Sequence, residues 1–307
     1  MKPINFNTSY LNLRNILLII LLLTIFDSSF ASTVQDQASK VFPVVSCSWL
    51  KDNLSKPGLV VLHVSGTKLD YDNGHVPGSR FLWPGYVVIS TEKESTAPAP
   101  VADVTKLLRA LGVNNNSHII LCGIYGNIIP VCRVFVNLEH VGLKGRVSIL
   151  DGGFDAWKNG GFEVSKEKPA IAKGKFTPVI NSNLVDGNFM VSNLTSRSWF
   201  IIDARPKPMY DGTVGTPRQG HIPGAKNLPQ TDLYDGKTFM FNDAEKISQA
   251  FGKLGIPKGS RPLLYCHTGN SASVDYVAAL IAGYDPVIYD GSMEEWGSRI
   301  DWEVEKE

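Results

Sequence analysis

The sequence predicts an α/β protein made of two tandem copies of one unit, each a parallel sheet flanked by helices. Three observations carry that prediction. Short landmarks recur in the same order at a nearly constant separation. Short strands that are apolar on both faces alternate with helices that are apolar on one. The composition, 43% hydrophobic and 19% charged over 307 residues, is that of globular protein with room for about two cores. Thirty Lys and Arg against 29 Asp and Glu leave a net charge of +1, so the composition gives no support for nucleic acid or an anionic membrane surface as partner.

The first 31 residues stand apart from the rest. Lys2 and Arg14 precede an unbroken apolar run from Ile16 to Leu23, continued by Ile25 and Phe26, and the small residues Ser29 and Ala31 then stand three and one before a cleavage point. That is the layout of a secretory signal peptide. The run is shorter than the roughly 18–20 residues that a helix needs to span a bilayer. The expectation is an exported protein, periplasmic if its source is bacterial and secreted otherwise, whose mature chain starts near Ser32. Export allows disulfides, and Cys47, Cys122, Cys132 and Cys266 make an even set without any Cys-x-x-Cys. Four are too few for a disulfide scaffold, so at least one needs another explanation.

The repeat is explicit in the residues. Gly74-His75-Val76-Pro77-Gly78 recurs as Gly220-His221-Ile222-Pro223-Gly224, and Leu111-Gly112-Val113 recurs as Leu254-Gly255-Ile256. A strand ending in Cys122 matches one ending in Cys266, and Leu150-Asp151-Gly152 through Trp157 matches Tyr289-Asp290-Gly291 through Trp296. Four landmarks at offsets of 139 to 146 mean a tandem duplication. Within the first copy, residues 40–163, the strands are Leu59–Leu62, Ile119–Leu121 and Val147–Leu150. Helical spacing marks Val104, Leu107, Leu108 and Leu111, then Val131, Val134, Phe135 and Leu138. Residues 164–180, rich in Lys and Pro and without periodicity, form the linker. The second copy, 181–307, repeats the pattern with strands Trp199–Ile202, Pro262–Tyr265 and Pro286–Tyr289. Its helices carry Ile247, Ala250, Phe251 and Leu254, then Val274, Val277, Ala278 and Ile281. Alternation of such strands and helices gives a parallel sheet covered on both sides.

Chemistry in such a sheet belongs at the carboxyl edge, where strand meets helix. There Leu264-Tyr265-Cys266-His267-Thr268-Gly269-Asn270-Ser271 delivers a cysteine from a buried strand into a short polar loop that opens a helix. A loop folded back over Cys266 would turn backbone N–H groups inward, hold an anion and lower the thiol pKa. Gly269 supplies the backbone freedom for a tight cradle, and the hydroxyls of Thr268 and Ser271 are candidate donors.

On these residues the chain resembles the two-domain rhodanese family of sulfurtransferases. The marks are Gly-His-Ile-Pro-Gly-Ala at 220–225, Asp203-Ala204-Arg205, the Cys266 loop, and the segment from Asp290 to Trp296. The resemblance implies a five-stranded parallel sheet in each domain and catalysis confined to the C-terminal one. It also implies a double displacement in which Cys266 takes a sulfane sulfur from a donor such as thiosulfate and passes it, as a persulfide, to a thiophilic acceptor. That acceptor is cyanide, a thiol, or the thiol of a partner protein. The related phosphatases close their longer loop with an arginine; here the sixth residue after Cys266 is Ala272, which leaves nothing to grip a phosphoryl group.

Substrate-binding candidates are His267, Thr268, Gly269, Asn270 and Ser271, together with Arg218 and Arg205. Arg218 matches a position where mercaptopyruvate enzymes use arginine for the substrate carboxylate, but their second arginine falls at Met209. Arg205 either braces the strand end or touches substrate. In the first copy Cys122 is either a second sulfur carrier or a structural cysteine, the latter including a pairing with Cys132. His63 stands where an acidic residue is expected near His75, which breaks a relay from Thr268 through His75 to a carboxylate; His75 and His221 read as turn residues that bond backbone. No histidines pair at metal-ligand spacing, so no metal is expected, and no cofactor, nucleotide or nucleic acid has sequence support.

Overall fold

A computed structural model describes residues 42–307 apart from residues 125, 216, 217 and 258. The signal-peptide reading of residues 1–31 and the cleavage near residue 32 lie outside the described residues.

The first copy runs β1 (Val44–Val45), α1 (Cys47–Asn53), β2 (Leu59–Val64), α2 (Lys68–Asn73), β3 (Arg80–Leu82), β4 (Val88–Ile89), β5 (Ala97–Pro98), α3 (Val101–Ala110), β6 (His118–Gly123), α4 (Ile128–Leu138), β7 (Val147–Leu150) and α5 (Gly153–Asn159). The second runs β8 (Leu184–Val185), α6 (Gly187–Asn193), β9 (Trp199–Asp203), α7 (Lys207–Tyr210), β10 (Lys226–Asn227), α8 (Ala244–Lys253), β11 (Arg261–Tyr265), α9 (Ala272–Ile281), β12 (Val287–Tyr289) and α10 (Ser292–Ser298). Each copy builds a five-stranded sheet, in the orders β1-β7-β6-β2-β3 and β8-β12-β11-β9-β10. All neighbours in both sheets are parallel. The two orders are the same order, so the duplication is one of topology as well as of motifs.

The helices start where the sequence offers caps. Asn127, Asp186 and Asp243 each accept a backbone N–H of the following first turn, at 3.1, 2.9 and 2.8 Å, which satisfies donors that a helix end otherwise leaves bare. Trp157 and Trp296 occupy equivalent places under the outer faces of the two sheets. Each indole N–H donates to a carbonyl beyond its helix, that of Glu163 and that of Glu303. The inner faces do not form two separate cores. One continuous apolar cluster takes Leu62, Leu121, Val134 and Phe135 from the first copy and Ile202, Leu264, Val277 and Ile288 from the second.

The copies also exchange arms. The loop between the antiparallel strands β4 and β5 reaches the second copy, where the Ser95 N–H and Oγ donate to Glu294. The matching turn of the second copy, closed by a bridge between Tyr234 and Phe241, reaches back, and the Phe241 N–H donates to Asp151 at 3.0 Å. The connecting segment lies along the first copy, pairing Ser165 with His75 and burying Phe176.

Strand register corrects one reading of the repeat. Cys122 pairs with His63 in the first sheet, whereas the residue paired with Asp203 in the second is Tyr265. Since Leu121 aligns with Ile149 and Leu264 with Ile288, the counterpart of Cys122 is Tyr265, and the counterpart of Cys266 is Gly123. A shift of one residue turns a side chain to the opposite face of a sheet. Cys122 accordingly packs with Leu50, Val76 and Trp157 beneath the outer helices, as Tyr265 does with Ile222 and Trp296, while Cys132 lies in the inner cluster. All four cysteines are free, so the pairing of Cys122 with Cys132 is not made.

Candidate active site

Cys266 follows the last residue of β11 and sits at the carboxyl edge of the sheet, 1% exposed. Residues 267–271 fold over it and lead into α9. The backbone N–H groups of Ala272, Thr268 and Ser271 bond the sulfur. The carbonyls of the loop are drawn the other way. Those of Cys266 and His267 accept the first N–H groups of α10, from Met293 at 3.1 Å and Glu294 at 2.8 Å. Gly269, at φ +81°, makes the reversal, and an added Cβ there would lie 2.8 Å from the Asp290 backbone and carboxylate oxygens.

The cysteine N–H is held in turn by Ser292, whose Oγ accepts it at 3.2 Å and donates to the Tyr289 carbonyl at 2.9 Å. Ser292 has φ +50°, a conformation costly for a side-chain-bearing residue, where the first copy has Gly153. The hydroxyl is what the strain retains.

The nest forms as the sequence implies, but the thiol pKa moves the other way. Burial raises it, the three N–H donors lower it, and the charge of Asp203 adds a smaller upward push, so that the net direction is upward. The resting group is therefore a buried thiol whose ionised form has donors already in place. A charge-assisted hydrogen bond is worth about 1.5–3 kcal/mol, which gives the nest the scale to offset much of that desolvation once charge appears on sulfur.

Of the residues named from sequence, Thr268, Gly269 and Ser271 build the nest through backbone, while the His267 carbonyl accepts the Glu294 N–H of α10 and the Asn270 carbonyl the Ser273 N–H of α9. Of the two readings of Arg205, its hydrogen bonds are those of the brace. Its guanidinium is buried, bonds both Asp203 oxygens at 2.6 to 3.0 Å and donates to the Gly220 carbonyl at 2.7 Å. Arg218 donates through Nη1 to the carbonyls of Arg299 and Trp302, at 2.9 and 2.7 Å, tying its turn to the C-terminal segment. Among the described residues no hydrogen bond joins it to the cysteine loop.

His75 and His221 are turn residues. Each stacks on a tyrosine, at 3.8 Å between ring centroids, and sets Nδ1 against that tyrosine's carbonyl. The other His75 nitrogen lies 3.0 Å from the Glu167 carbonyl, so this ring is spent on backbone and carries no relay. His63 is fully buried between Tyr71 and Phe154 with neither nitrogen partnered, and burial pushes its pKa down to about 4. Among the described residues no group of three His, Cys, Asp or Glu side chains is placed to hold a metal.

Sequence reasoning missed Ala272, Ser292, Asp290, Thr96 and Arg133. Arg133 crosses from α4 in the first copy, 1% exposed, and sets Nη1 2.6 Å from the Asp290 carboxylate beside Gly269. Its Nη2 donates to the Thr96 carbonyl at 2.6 Å, and the Thr96 hydroxyl donates to the Thr268 carbonyl in the cysteine loop. One signal was available: Arg133 is the only charged residue in the apolar helix Ile128–Leu138. The corresponding place in the first copy is open, a cavity of about 440 Å³ lined by Gly123, Asn127, Asp151, Phe239 and Met240 among others.

Comparison with known proteins agrees with this geometry. The rhodanese-like domain family matches twice, over residues 46–160 and 190–299. The 3-mercaptopyruvate sulfurtransferase of Escherichia coli K12 is 28% identical over 283 residues, covering 85% of this chain and 97% of that protein. A sulfur carrier protein of Thermus thermophilus is 28% identical over 281 residues, covering 84% and 94%. The mitochondrial thiosulfate/3-mercaptopyruvate sulfurtransferase 1 of Arabidopsis thaliana is 27% identical over 299 residues, covering 86% and 78%. Among solved structures, the anaerobic ergothioneine biosynthesis enzyme of Chlorobium limicola, in complex with trimethyl histidine, superposes with a TM-score of 0.74. It is 22% identical and covers 86% of this chain and 70% of that one, a likeness of fold. The chain belongs to the rhodanese family and is a sulfurtransferase with two rhodanese-like domains in tandem.

Proposed function

We propose that Cys266 is the sulfur-carrying nucleophile and that thiosulfate is its donor class. The observation that supports this most is the convergence of three backbone N–H groups on one buried sulfur at a strand end. The Cys266 thiol gives its proton to solvent, and the thiolate attacks the outer sulfur of thiosulfate. The Sγ–S bond forms as the donor S–S bond breaks, and sulfite leaves with the bonding pair. A thiophilic acceptor, cyanide or a thiol, then attacks the outer sulfur of the persulfide, and the Sγ–S bond breaks to return the thiolate. The N–H groups stabilise the negative charge on sulfur at both stages. A thiol protein is the second acceptor class.

Mercaptopyruvate remains the alternative donor, since enzymes of that name are among the relatives. Two features favour thiosulfate over it. Arg218 spends Nη1 on two carbonyls, and Met209 stands where a second carboxylate-binding arginine would be needed. Steady-state turnover with each donor, run against cyanide and against a thiol, separates the two. A stable persulfide with turnover from neither donor would instead identify a carrier serving a partner protein.

Cys266→Ser should abolish transfer while leaving the unfolding midpoint within about 1 kcal/mol of the parent, because the nest is backbone. Intact mass after donor treatment should gain one sulfur, about 32 Da, in the parent alone. Transfer surviving in Cys266→Ser would overturn the assignment.

The N-terminal pattern supports export to the periplasm or the exterior, with maturation near Ser32. No helix among the described residues is long and apolar enough to cross a membrane. N-terminal sequencing of the protein from its own host should start near Ser32, and recovery of Met1 in the membrane fraction would sink this reading.

A further inference from the structure

Arg133 is costly where it stands. A guanidinium 1% exposed in an apolar helix must recover its lost hydration from its partners, and exchanging such a buried pair for apolar side chains is often neutral or stabilising. Stability alone is a weak reason to place it there. Its two contacts, however, converge on one object. Through Asp290 it backs Gly269, whose Cα lies so close that no Cβ would fit between the loop and the Asp290 oxygens. Through the Thr96 carbonyl it fixes the residue whose hydroxyl holds the Thr268 carbonyl, and the opposite face of that residue's backbone presents its N–H to the Cys266 sulfur. Both of these supports, added to those from α10, start from one side chain of the other domain.

The charge matters as well as the reach. The Glu94 carboxyl is pushed up by burial and then by the charges of Asp290 and Glu295, with a smaller push from Glu294. Arg133 is the cation that opposes this.

We propose that Arg133 is a positioning residue for sulfur transfer: from the domain without a nucleophile, it holds the cysteine loop of the other in the conformation that aims Thr268 N–H at the sulfur. The inference rests on Cys266 being the sulfur carrier. It assigns the first domain a direct part in the reaction, and it makes docking of the domains a condition of activity.

The test compares Arg133→Met, Arg133→Lys and Thr96→Val in the full chain, with Lys144→Ala as control. That control cuts an exposed pair, 2.8 Å between Lys144 and Asp285, which joins the domains without touching the loop. Loss of alignment at a reacting centre costs up to about 100-fold. We expect kcat in Arg133→Met to fall about 10- to 100-fold with donor KM changed less than about threefold. Arg133→Lys should recover part of the loss, since an ammonium is one point charge and cannot serve Asp290 and Thr96 together. Thr96→Val, which keeps the buried ion pair, should lower kcat about three- to tenfold at an unchanged unfolding midpoint, and Lys144→Ala should match the parent. A folded Arg133→Met with parental kcat overturns the proposal. If that variant does not fold, parental kcat in Thr96→Val overturns it. Activity surviving in Cys266→Ser would instead overturn the assignment of the nucleophile.

Discussion

Ser292 shows how much of the site is decided by single residues. Its place in the first copy is held by Gly153, and a glycine would relieve the positive φ in the second copy too. The serine persists with its hydroxyl between the Cys266 N–H and the Tyr289 carbonyl. Two variants separate strain from positioning. Ser292→Gly removes both the strain and the hydroxyl, so stability should stay within about 1 kcal/mol of the parent while persulfide formation slows. Ser292→Ala keeps the strain and orphans a buried N–H, so it should cost about 1–3 kcal/mol in denaturant unfolding. Equal stability of the two variants would show that the positive φ carries no strain, and an Ala variant as stable as the parent would show that the hydroxyl carries no such burden. None of this is legible in the sequence: Asp290 to Trp296 stands out as a motif, yet neither the sign of φ at Ser292 nor the partner of its hydroxyl has a one-dimensional signal. The same holds for the thiol of Cys266. The nest follows from the loop residues, but burial, which decides the direction of the pKa shift, follows from the domain that covers them.

At the scale of elements, what the sequence reveals follows strand length. The central strands β2, β6 and β7, and β9, β11 and β12, are short apolar runs between periodic helices, and they fall where those runs are. β1, β8 and β10 are two residues long and β3 is three, too short for any pattern to rise above the surrounding loop, so the five-strand count rests on family resemblance. Cys122 marks the limit of reading a repeat by residue identity. Matching cysteine to cysteine gives an offset of 144, whereas the pairing of β6 with β7 and of β11 with β12 requires 143. One residue exchanges the loop side of the strand for the packed outer face. Cys122→Ala should therefore leave sulfur transfer at the parental rate and cost about 1 kcal/mol for a small cavity. A loss of transfer in this variant, with stability kept, would restore Cys122 as a carrier.

For the molecule as a whole, the continuous inner core makes the two copies one cooperative unit, so the titration of buried groups in either copy acts on a single unfolding equilibrium. Two kinds of group oppose each other. His63, in the first copy, keeps a pKa of about 4 against an ordinary 6.5 because burial disfavours its cation. The unfolded chain takes up that proton first, so the stability His63 contributes is present above about pH 6.5 and is lost toward pH 4, at up to about 1.4 kcal/mol per pH unit. Asp275, on α9 in the second copy, is fully buried with neither carboxyl oxygen partnered. Burial, and then the charges of Asp203 and Asp232, raise its pKa well above the usual carboxyl range. Its contribution has the opposite sign. The folded chain keeps the proton that the unfolded chain releases near pH 4, so stability is full below that pH and falls as pH rises. Between about pH 4 and 6.5 the two terms offset one another, and the parent protein should show a shallower acid limb than His63 alone would give. Asp275→Asn removes one side of the balance. It should raise stability at pH 7 by about 1–3 kcal/mol, lose that advantage near pH 4, and uncover a steeper decline between the two. Denaturant midpoints at pH 4, 5.5 and 7 for parent, Asp275→Asn and His63→Leu decide the matter. An Asp275→Asn protein no more stable than the parent at pH 7, or one whose advantage is the same at every pH, would mean that the carboxyl finds a proton-independent partner and that the balance does not exist.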